Sequence, residues 1–261
     1  MSNPTSLQGK AFKWILSQDL ICPDYPMLVQ RFALVVLYYS TNGDSWRQCS
    51  NNPSAMDRCG EEKPFMGATR FLTTSSSECD WAGITCDGSV VTTLLFERNN
   101  LGGSIPTEIG LLTGLREIGM EQGRLSGSIP SELGRLSQLY FIDLDYNELV
   151  GSLPSELWSL TLLQQLDLNN NRLSGTLSTE IGSLTKLQFL QLNSNPMVGT
   201  IPSQMGLLTD LKAFTLHDAS FSGSMPTEIC AVSSLQLLVA DCYDPETDIV
   251  CLCCNNCWSE H

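Results

Sequence analysis

Carboxylates are the side chains of this sequence whose spacing could support chemistry. Asp143 and Asp167 lie 24 residues apart, and Asp145 follows Asp143 by two positions. Two carboxylates held close together can act as general acid and base, and several carboxylate oxygens can bind Ca²⁺. The alternative is an acidic surface that water solvates, with no reaction at all. The spacing alone leaves all three interpretations open.

Other catalytic groups are scarce. The chain has two histidines and His261 is its last residue, so a Ser–His–Asp triad would have to use His217. The sequence contains no G-x-S-x-G motif, no H-E-x-x-H motif and no glycine loop for phosphate. We therefore predict that the protein is not an enzyme and that it uses no cofactor and no metal ion.

The carboxylates lie in a segment, Leu94 to Ala240, that repeats every 24 residues. One polar position recurs at residues 99, 123, 147, 171, 195 and 219, and it is Asn except for Gly123 and Ala219. The apolar positions of a typical copy are Leu160, Leu163, Leu166, Leu168 and Leu173. A period in the twenties with L-x-x-L-x-L-x-x-N-x-L is the mark of a leucine-rich repeat solenoid. We predict an α/β solenoid of right-handed coils with a parallel β-sheet on its concave face.

The physics of one coil explains these residue types. Side chains alternate inward and outward along the short strand of each coil, so alternate positions are apolar. The turn after the strand leaves backbone groups inside the stack, where the amide of the repeated Asn can supply both a donor and an acceptor. Gly123 and Ala219 cannot do this, and we expect water or relaxed geometry to substitute there. Their coils should be the weakest in the array.

Outward-pointing residues 24 apart should stack in columns on strands about 4.8 Å apart. Phe141 and Phe189 would point outward although core packing does not require it, which indicates a recognition surface. Acids outnumber bases on this face, so we expect a ligand with basic character. The predicted ligand-binding residues are Glu97, Glu117, Glu121, Phe141, Asp143, Asp145, Tyr146, Asp167, Phe189 and His217.

The segment after each turn carries a more specific signature. Leu101, Gly103, Ile105 and Pro106 form the element L-x-G-x-I-P, and Ser178 replaces the proline in one later copy. This element resembles the plant-type leucine-rich repeat of receptor-like kinases, receptor-like proteins and polygalacturonase inhibitors. The resemblance covers about residues 26 to 257. It implies short extra strands and 3₁₀ turns on the convex side.

Both ends of the array should carry caps. Residues 26–40 read as an apolar helix that ends at Asn42-Gly43, and we expect it to cover the open end of the solenoid. The segments YYSTNGDSW and CDWAGITC resemble the plant-type N-terminal cap, which implies that Cys79 pairs with Cys86. The first segment together with the cysteine-rich tail resembles diatom leucine-rich repeat proteins more than land-plant ones. We predict a cap over residues 1–89 with an insertion at 47–77, repeats over 90–229, and a half-repeat with a cysteine-rich cap over 230–261.

The eleven cysteines concentrate in these two caps. We interpret the insertion as pinned by a Cys49–Cys59 disulfide, which leaves Cys22 as a free thiol or as a site of intermolecular pairing. Six cysteines crowd the tail, and we predict three disulfides among them, with a zinc or iron–sulfur site as the alternative. These six are Cys230, Cys242, Cys251, Cys253, Cys254 and Cys257.

Charge and cysteine content limit the partners and the compartment. Asp plus Glu outnumber Lys plus Arg 28 to 14, and the net charge of −14 argues against nucleic acid or an anionic membrane surface as partner. No apolar run of about 18 residues occurs, so we predict no membrane span. The N-terminus does not read as a leader, yet the cysteine content is typical of secreted proteins. We expect an extracellular or cell-surface protein whose native N-terminus is missing here, with reduced cysteines in the cytosol as the alternative.

The sequence thus predicts a receptor-like recognition module that binds a protein, a peptide or a glycan through its concave face. A secreted inhibitor of a hydrolase, similar to the polygalacturonase inhibitors, is one alternative. A structural or adhesion protein of the cell wall is the other.

Overall fold

The computed structural model describes residues 3–21, 25–52, 59–61, 66–241 and 249–258. The predictions made for Cys22, Cys242 and His261 fall outside these residues, and so do parts of the predicted insertion. None of the helices in these ranges combines the length and the hydropathy that a membrane span requires.

A nine-stranded sheet lines the concave face, and its strands follow one another in chain order. The first two strands are antiparallel, and every later pair is parallel with residues 24 apart opposite each other through the strand Leu237–Asp241. The predicted parallel sheet is therefore confirmed. Its strands are Ile84–Asp87, Val90–Leu95, Glu117–Gly119, Phe141–Asp143, Gln165–Asp167, Phe189–Gln191, Ala213–Thr215, Leu237–Asp241 and Asn256–Trp258.

The N-terminal edge of this sheet is a hairpin that the repeat pattern did not predict. Its second strand is Val90–Leu95, and the chain turns after it at Arg98, which has a left-handed φ of 53°. The strand Ile84–Asp87 pairs with it in antiparallel fashion through a turn at Gly88, whose φ is 62°. A hairpin thus begins the sheet.

The convex side carries 3₁₀ turns and short strands, as the resemblance implied. A four-stranded sheet comprises Gly102–Ser104, Arg124–Gly127, Glu148–Gly151 and Arg172–Leu173, and two further pairs join Val198–Gly199 to Ser220–Phe221 and Gly223–Ser224 to Ile249–Val250. The 3₁₀ turns of this side are Thr107–Leu111, Ser131–Arg135, Ser155–Ser159, Thr179–Ser183 and Ser203–Leu207, followed by the short helix Thr227–Cys230. Two further 3₁₀ turns, Gly43–Ser45 and Glu78–Asp80, lie in the N-terminal cap. Between the two faces, the repeated leucines form one continuous core.

Buried asparagines connect one coil to the next. The Oδ1 atom of Asn171 accepts from the backbone N–H of Leu149 in the preceding coil, and its Nδ2 donates to the carbonyls of Leu144 and Leu168. Asn147 and Asn195 make the equivalent hydrogen bonds to the coils that precede them. The asparagines therefore act between coils as well as within them.

The coil in which Ala219 replaces this Asn satisfies its backbone in other ways. By the pattern of the other coils, the N–H of Met197 would donate to an Asn at position 219. Because Ala219 stands there, this N–H donates to the carbonyl of Asn195 at 2.7 Å. The N–H groups of Asp218 and Ala219 donate to the carboxylate of Asp241. Relaxed geometry at Met197 thus replaces the missing acceptor, and the carboxylate of Asp241 takes the place that backbone carbonyls of the next coil have elsewhere.

Two helices cover the first coil. Helix α1, Leu7–Ser17, begins at Ser6, whose hydroxyl accepts from the N–H of Gly9, and helix α2, Tyr25–Ser40, packs against it. The hydroxyl of Ser40 donates to the carbonyl of Ser104, so α2 is attached directly to the array. The solenoid is closed at this end by the helix that the sequence predicted.

A buried ionic network holds the cap together. The guanidinium of Arg31 donates two hydrogen bonds to Asp19, at 2.6 and 2.9 Å, and one to Glu78 at 2.9 Å. All three side chains are buried, and the guanidinium also lies 4.6 Å from the centroid of the Trp81 ring. Below it, Tyr38, Trp46, Phe71, Trp81 and Phe96 form one aromatic cluster with ring centroids 4.8 to 5.9 Å apart.

Disulfides occur in both caps. Cys79 is joined to Cys86, and Cys49 to Cys59. In the tail, Cys230 is joined to Cys253 and Cys251 to Cys254. These four tail thiols are therefore not free to bind zinc, while the side chain of Cys257 lies outside what the structure describes.

We expect Asn171→Ala to destabilise the protein by about 1–3 kcal/mol for each buried backbone group that it leaves without a partner. The groups at risk are the N–H of Leu149 and the carbonyls of Leu144 and Leu168. Urea unfolding followed by circular dichroism measures the loss. Gln138→Ala, on an exposed turn, is the control. Equal losses from the two changes would contradict the bridging role of Asn171.

We expect Arg31→Met to cost about 3–5 kcal/mol, because it leaves two buried carboxylates without their cation. Arg172→Met is a matched control, since Arg172 pairs with Glu148 at 3.4 Å on the surface and such pairs contribute about 0–1 kcal/mol. Denaturant midpoints of both variants against the parent protein test the difference. Similar shifts in the two midpoints would refute the buried network as the centre of the cap.

Candidate ligand-binding face

The predicted ligand-binding residues occupy the concave sheet and the turns after its strands. Phe141, Gln165 and Phe189 are direct neighbours on three strands, and so are Asp143, Asp167 and Gln191 in the next outward column. Alternation along each strand places both columns on the same face, with the leucines between them in the core. The register brings most of the predicted residues onto one continuous surface.

Five acids form the centre of this surface, and we call them the acidic strip: Glu97, Glu121, Asp143, Asp145 and Asp167. Asp143 and Asp167 lie opposite each other, and Glu97, Glu121 and Asp145 each follow their strand by a turn position. Like charges on neighbouring strands repel each other. The array thus concentrates negative charge on its first four coils.

Burial raises the pKa values of four of these acids, Glu121, Asp143, Asp145 and Asp167. It raises the pKa of Glu121 to about 7, with further increases from the charges of Asp143, Glu97 and Asp145, and its own backbone opposes the shift. Burial also raises the pKa of Asp145 to about 6, helped by the charges of Asp143 and Asp167. Burial likewise raises the pKa of Asp167 to about 6, although the hydrogen bonds from Gln165 and Gln191 oppose this increase.

The bases near the strip do not neutralise its centre. Arg98 pairs with Glu97 at 3.3 Å and donates to Gln122, at the outer end of the strip. Arg116 is directed away, because its guanidinium pairs with Asp87 at 3.0 Å. The inner acids therefore retain unpaired oxygens: among the residues described, Glu121 Oε2, Asp145 Oδ1 and Asp167 Oδ1 have no hydrogen-bond partner.

Aromatic side chains flank the acidic strip. Phe189 is 37% exposed and Tyr146 52%, and Phe141 is half-buried on the strand before Gln165. Lys212 Nζ lies 5.8 Å from the centroid of the Phe189 ring, which places one cation at the far side of the face. Apolar rings beside carboxylates give this surface two kinds of contact.

Two predicted residues do not join the strip. Glu117 accepts a hydrogen bond from the hydroxyl of Tyr140, so its carboxylate is already engaged. His217 follows the strand Ala213–Thr215, two strands beyond Asp167, and burial lowers its pKa while the charges of Asp241 and Asp218 oppose this. A catalytic arrangement of His217 with the strip is not formed.

The concave face also has one buried polar residue and one cavity that the sequence did not predict. Asn169 is 6% exposed, and its Oδ1 has no hydrogen-bond partner in the described part of the chain. A cavity of about 440 Å³ lies where the hairpin meets the first coils, lined by Trp81, Ile84, Leu95, Glu97 and Glu121 among others. The repeat pattern could indicate that Asn169 points outward, but not that it would be buried.

The arrangement can bind, but it does not resemble a metal centre. Within the described ranges, no group of three His, Cys, Asp or Glu side chains is placed to hold a metal ion. The strip offers acceptor oxygens and negative charge along several coils. Such a surface can contact hydrogen-bond donors and cations on a ligand.

Comparison with known proteins establishes the family. The model of the leucine-rich repeat region matches residues 115–253, more than half of the chain. The chain belongs to the leucine-rich repeat family. No curated protein matches the sequence.

Solved structures show that this leucine-rich repeat protein is of the plant type. It is 30% identical to the ectodomain of the Arabidopsis thaliana receptor kinase GASSHO1/SCHENGEN3, solved with CASPARIAN STRIP INTEGRITY FACTOR 2, with a TM-score of 0.55 over 61% of this chain and 22% of that one. It is 27% identical to a chain of the Arabidopsis BIR3–SERK2 complex, with a TM-score of 0.54 over 72% and 95% of the two chains. A third match is the Arabidopsis receptor kinase HAESA with the peptide hormone IDA and the co-receptor SERK1, at 27% identity and a TM-score of 0.52. That match covers 64% of this chain and 32% of the HAESA chain. The leucine-rich repeat protein thus spans less than a third of the GASSHO1 and HAESA chains that it matches.

The raised pKa values make the stability of the leucine-rich repeat protein depend on pH. The pKa values of these acids are near 4 in the unfolded chain and about 6 to 7 in the folded protein. Between these pH values the folded protein therefore binds more protons than the unfolded chain. The stability that this extra protonation contributes is therefore fully present below about pH 4 and is lost as the pH rises through about 7. We expect the double variant Asp145→Asn, Asp167→Asn to gain stability over the parent at pH 7.5, and to gain less at pH 4.

Urea unfolding of both proteins at the two pH values measures this difference. Asp210→Asn serves as the control, because Asp210 is exposed on a turn and is solvated folded and unfolded. The same gain for the double variant at both pH values would count against electrostatic strain in the strip.

Proposed function

We propose that the protein is a recognition module that binds a peptide or protein ligand of basic character on its concave face. The observation that carries this proposal is the acidic strip with its unpaired oxygens, Glu121 Oε2, Asp145 Oδ1 and Asp167 Oδ1. A buried acceptor without a partner costs about 1–3 kcal/mol, so folding alone gives no reason to retain several of them. A cationic ligand would offset the negative charge that these acids hold together.

The aromatic residues support the same interpretation. Phe141, Tyr146 and Phe189 would give the ligand apolar contacts beside the strip, and aromatic residues often carry much of the binding energy of an interface. Electrostatic attraction would mainly accelerate association, because the strip acts on a cationic ligand before contact. Of the other predicted residues, Glu97 would contribute charge at the outer end of the strip, and Glu117 and His217 would lie at the margins of the contact.

The structural relatives point in the same direction. One is a receptor kinase with a peptide hormone and a co-receptor, and another is the BIR3–SERK2 complex. By analogy, the concave face of this chain would receive a peptide or a second protein outside the cell, without catalysis. A glycan ligand fits less well, since neutral sugars do not need a strip of carboxylates.

The inhibitor of a secreted hydrolase remains the second candidate, since it would use the same face on a folded enzyme. The overall resemblance to plant-type repeats favours it, but the strip does so only if the enzyme presents a basic surface. A polygalacturonase activity assay distinguishes the two functions. Inhibition at stoichiometric protein, with no peptide bound, would favour the inhibitor.

The direct test is a binding screen against synthetic peptides of graded charge and against acidic and neutral polysaccharides. We expect basic peptides to bind, with an association rate that falls as ionic strength rises past about 0.15 M. The triple variant Glu121→Gln, Asp143→Asn, Asp145→Asn should lose at least tenfold in affinity. A matched triple variant on the convex turns, Glu132→Gln, Glu156→Gln, Glu180→Gln, removes the same charge and should bind normally.

Two results would overturn this proposal. One is a ligand that binds the strip variant and the parent equally well without any salt dependence. The other is an equal loss of affinity in the two triple variants, which would show that net charge and not the concave face governs binding.

A further inference from the structure

The N-terminal cap has an apolar cavity of about 700 Å³ between helices α1 and α2, which we call the cap groove. Phe12 and Leu16 of α1 and Leu111 of the first convex turn are among the residues that line it. Asp19 is the one polar residue of this lining in the described part of the chain, and its carboxylate is already bound by Arg31. The lining side chains therefore offer apolar contact and no free hydrogen-bonding group.

The cap groove is open to solvent. Leu16 is 71% exposed and Leu20 is 76% exposed, although both line the same cavity. Single exposed leucines are common on protein surfaces, whereas large apolar side chains grouped around one groove indicate an interaction site. Packing within the cap leaves these side chains without a partner, so we expect them to contact another molecule.

Positive charge accompanies the cap groove in a protein that is otherwise acidic. Residues 1–18 contain two lysines, Lys10 and Lys13, and no acid, whereas the whole chain has a net charge of −14. Lys13 precedes Leu16 by three positions on α1, so the two side chains are neighbours on the helix surface. Neither lysine pairs with an acid in the described part of the chain. The groove thus suits an apolar partner that also carries negative charge.

The opposite end of the solenoid has the matching features. Leu252 is 96% exposed and Val250 is 62% exposed, and we call these two side chains the tail knob. The disulfide between Cys251 and Cys254 closes a short loop around Leu252, so that this side chain projects from a constrained backbone. Residues 230–261 contain five acids and no lysine or arginine. This end therefore combines exposed apolar side chains with negative charge.

The groove and the knob lie toward the same side of the solenoid. The cap groove is bordered by Leu111, at the end of the convex turn Thr107–Leu111. Val250 belongs to the strand Ile249–Val250, which pairs with the convex strand Gly223–Ser224. Copies placed end to end along the solenoid can therefore bring the knob of one copy to the groove of the next.

We propose that the tail knob of one copy docks in the cap groove of a second copy, so that the protein associates head to tail. Leu252 enters the groove beside Leu16 and Leu20, and the negative charge of the C-terminal cap offsets Lys10 and Lys13. The contact is heterologous, because it joins two different surfaces and leaves one groove and one knob free at the ends. The concave face takes no part, so this inference is independent of the proposed ligand binding.

A second copy fits the cap groove better than a membrane surface does. The net charge of −14 repels an anionic lipid surface. It also repels another copy in most orientations, but an end-to-end approach brings the lysine-bearing end of one copy to the acidic end of the next. A single contact of this kind covers both exposed apolar surfaces.

The test is sedimentation velocity of the full chain over a range of concentrations, with two variants that each disable one surface. Leu252→Asp disables the knob and Leu16→Asp the groove, because either change would bury an unpaired charge in the apolar contact. Both leucines are exposed, so neither change removes core packing, and circular dichroism verifies that the variants are folded. We expect the parent to associate increasingly with concentration, and each variant alone to associate about tenfold more weakly or less.

A mixture of the two variants gives the decisive measurement. The Leu252→Asp copy keeps its groove and the Leu16→Asp copy keeps its knob, so one contact can form between them. The mixture should therefore yield dimers and nothing larger, because the groove and the knob that remain free are both disabled. No contact between two identical surfaces predicts this recovery.

Two further variants separate charge from general surface effects. Lys10→Glu together with Lys13→Glu should weaken the association of the parent, since it removes the charge complementarity of the two ends. Leu207→Asp is the matched control, because Leu207 is 57% exposed at the end of a central convex turn, away from both caps. This control should associate as the parent does.

Four results would overturn the proposal. One is a parent protein that stays monomeric at every concentration, including the case in which its groove takes up a fluorescent fatty-acid analogue and so belongs to a small amphiphile. Another is association that neither Leu252→Asp nor Leu16→Asp weakens, which would place the contact elsewhere. A loss in only one of these variants would show that like surfaces meet. A mixture that fails to form dimers would show that the knob does not enter the groove.

Discussion

The hydrogen bonds of the buried asparagines are the interaction on which the array depends. Each coil must turn sharply after its strand, and the turn leaves backbone groups in an apolar core where water cannot reach them. Asn147, Asn171 and Asn195 satisfy those groups in their own coil and in the coil before it. Asn99 extends the ladder into the cap by exchanging hydrogen bonds with the backbone of Gln48. The same side chains thus join the cap and the coils into one unit.

This ladder has a direct consequence for the concave face. Because Asn147, Asn171 and Asn195 hold their coils to the preceding ones at equivalent backbone groups, the strands are kept in register, and a slip by one residue would turn every outward side chain inward. Columns of side chains 24 residues apart are therefore reliable positions on which a recognition surface can be built. The acids and aromatics of the concave face occupy such columns, while the leucines between them supply the stability.

The surface and the core make opposite demands. The core is apolar and closely packed, whereas the acidic strip holds like charges on adjacent strands and leaves acceptor oxygens without donors. The stability of the leucine core and of the buried Arg31 network in the cap allows the protein to tolerate this unfavourable surface. Binding sites commonly keep such uncompensated groups, because their partners are found in the ligand.

Much of this protein could be predicted from its sequence. The period of 24 specifies the solenoid, the parallel register, the inward leucines and the columns of the concave face, because each of these follows from local periodicity and strand alternation. The role of the repeated Asn could be predicted as well, since few side chains both donate and accept in a buried turn. Tertiary structure decided what depends on contacts between distant segments. It joined Arg31 to Asp19 and Glu78, paired the strand Ile84–Asp87 with Val90–Leu95, engaged Glu117 with Tyr140, and directed Arg116 away from the strip. Burial of Asp167 and Asn169 belongs to the same group, because the solvent exposure of an outward side chain depends on the neighbouring coils, which the period of one coil does not specify.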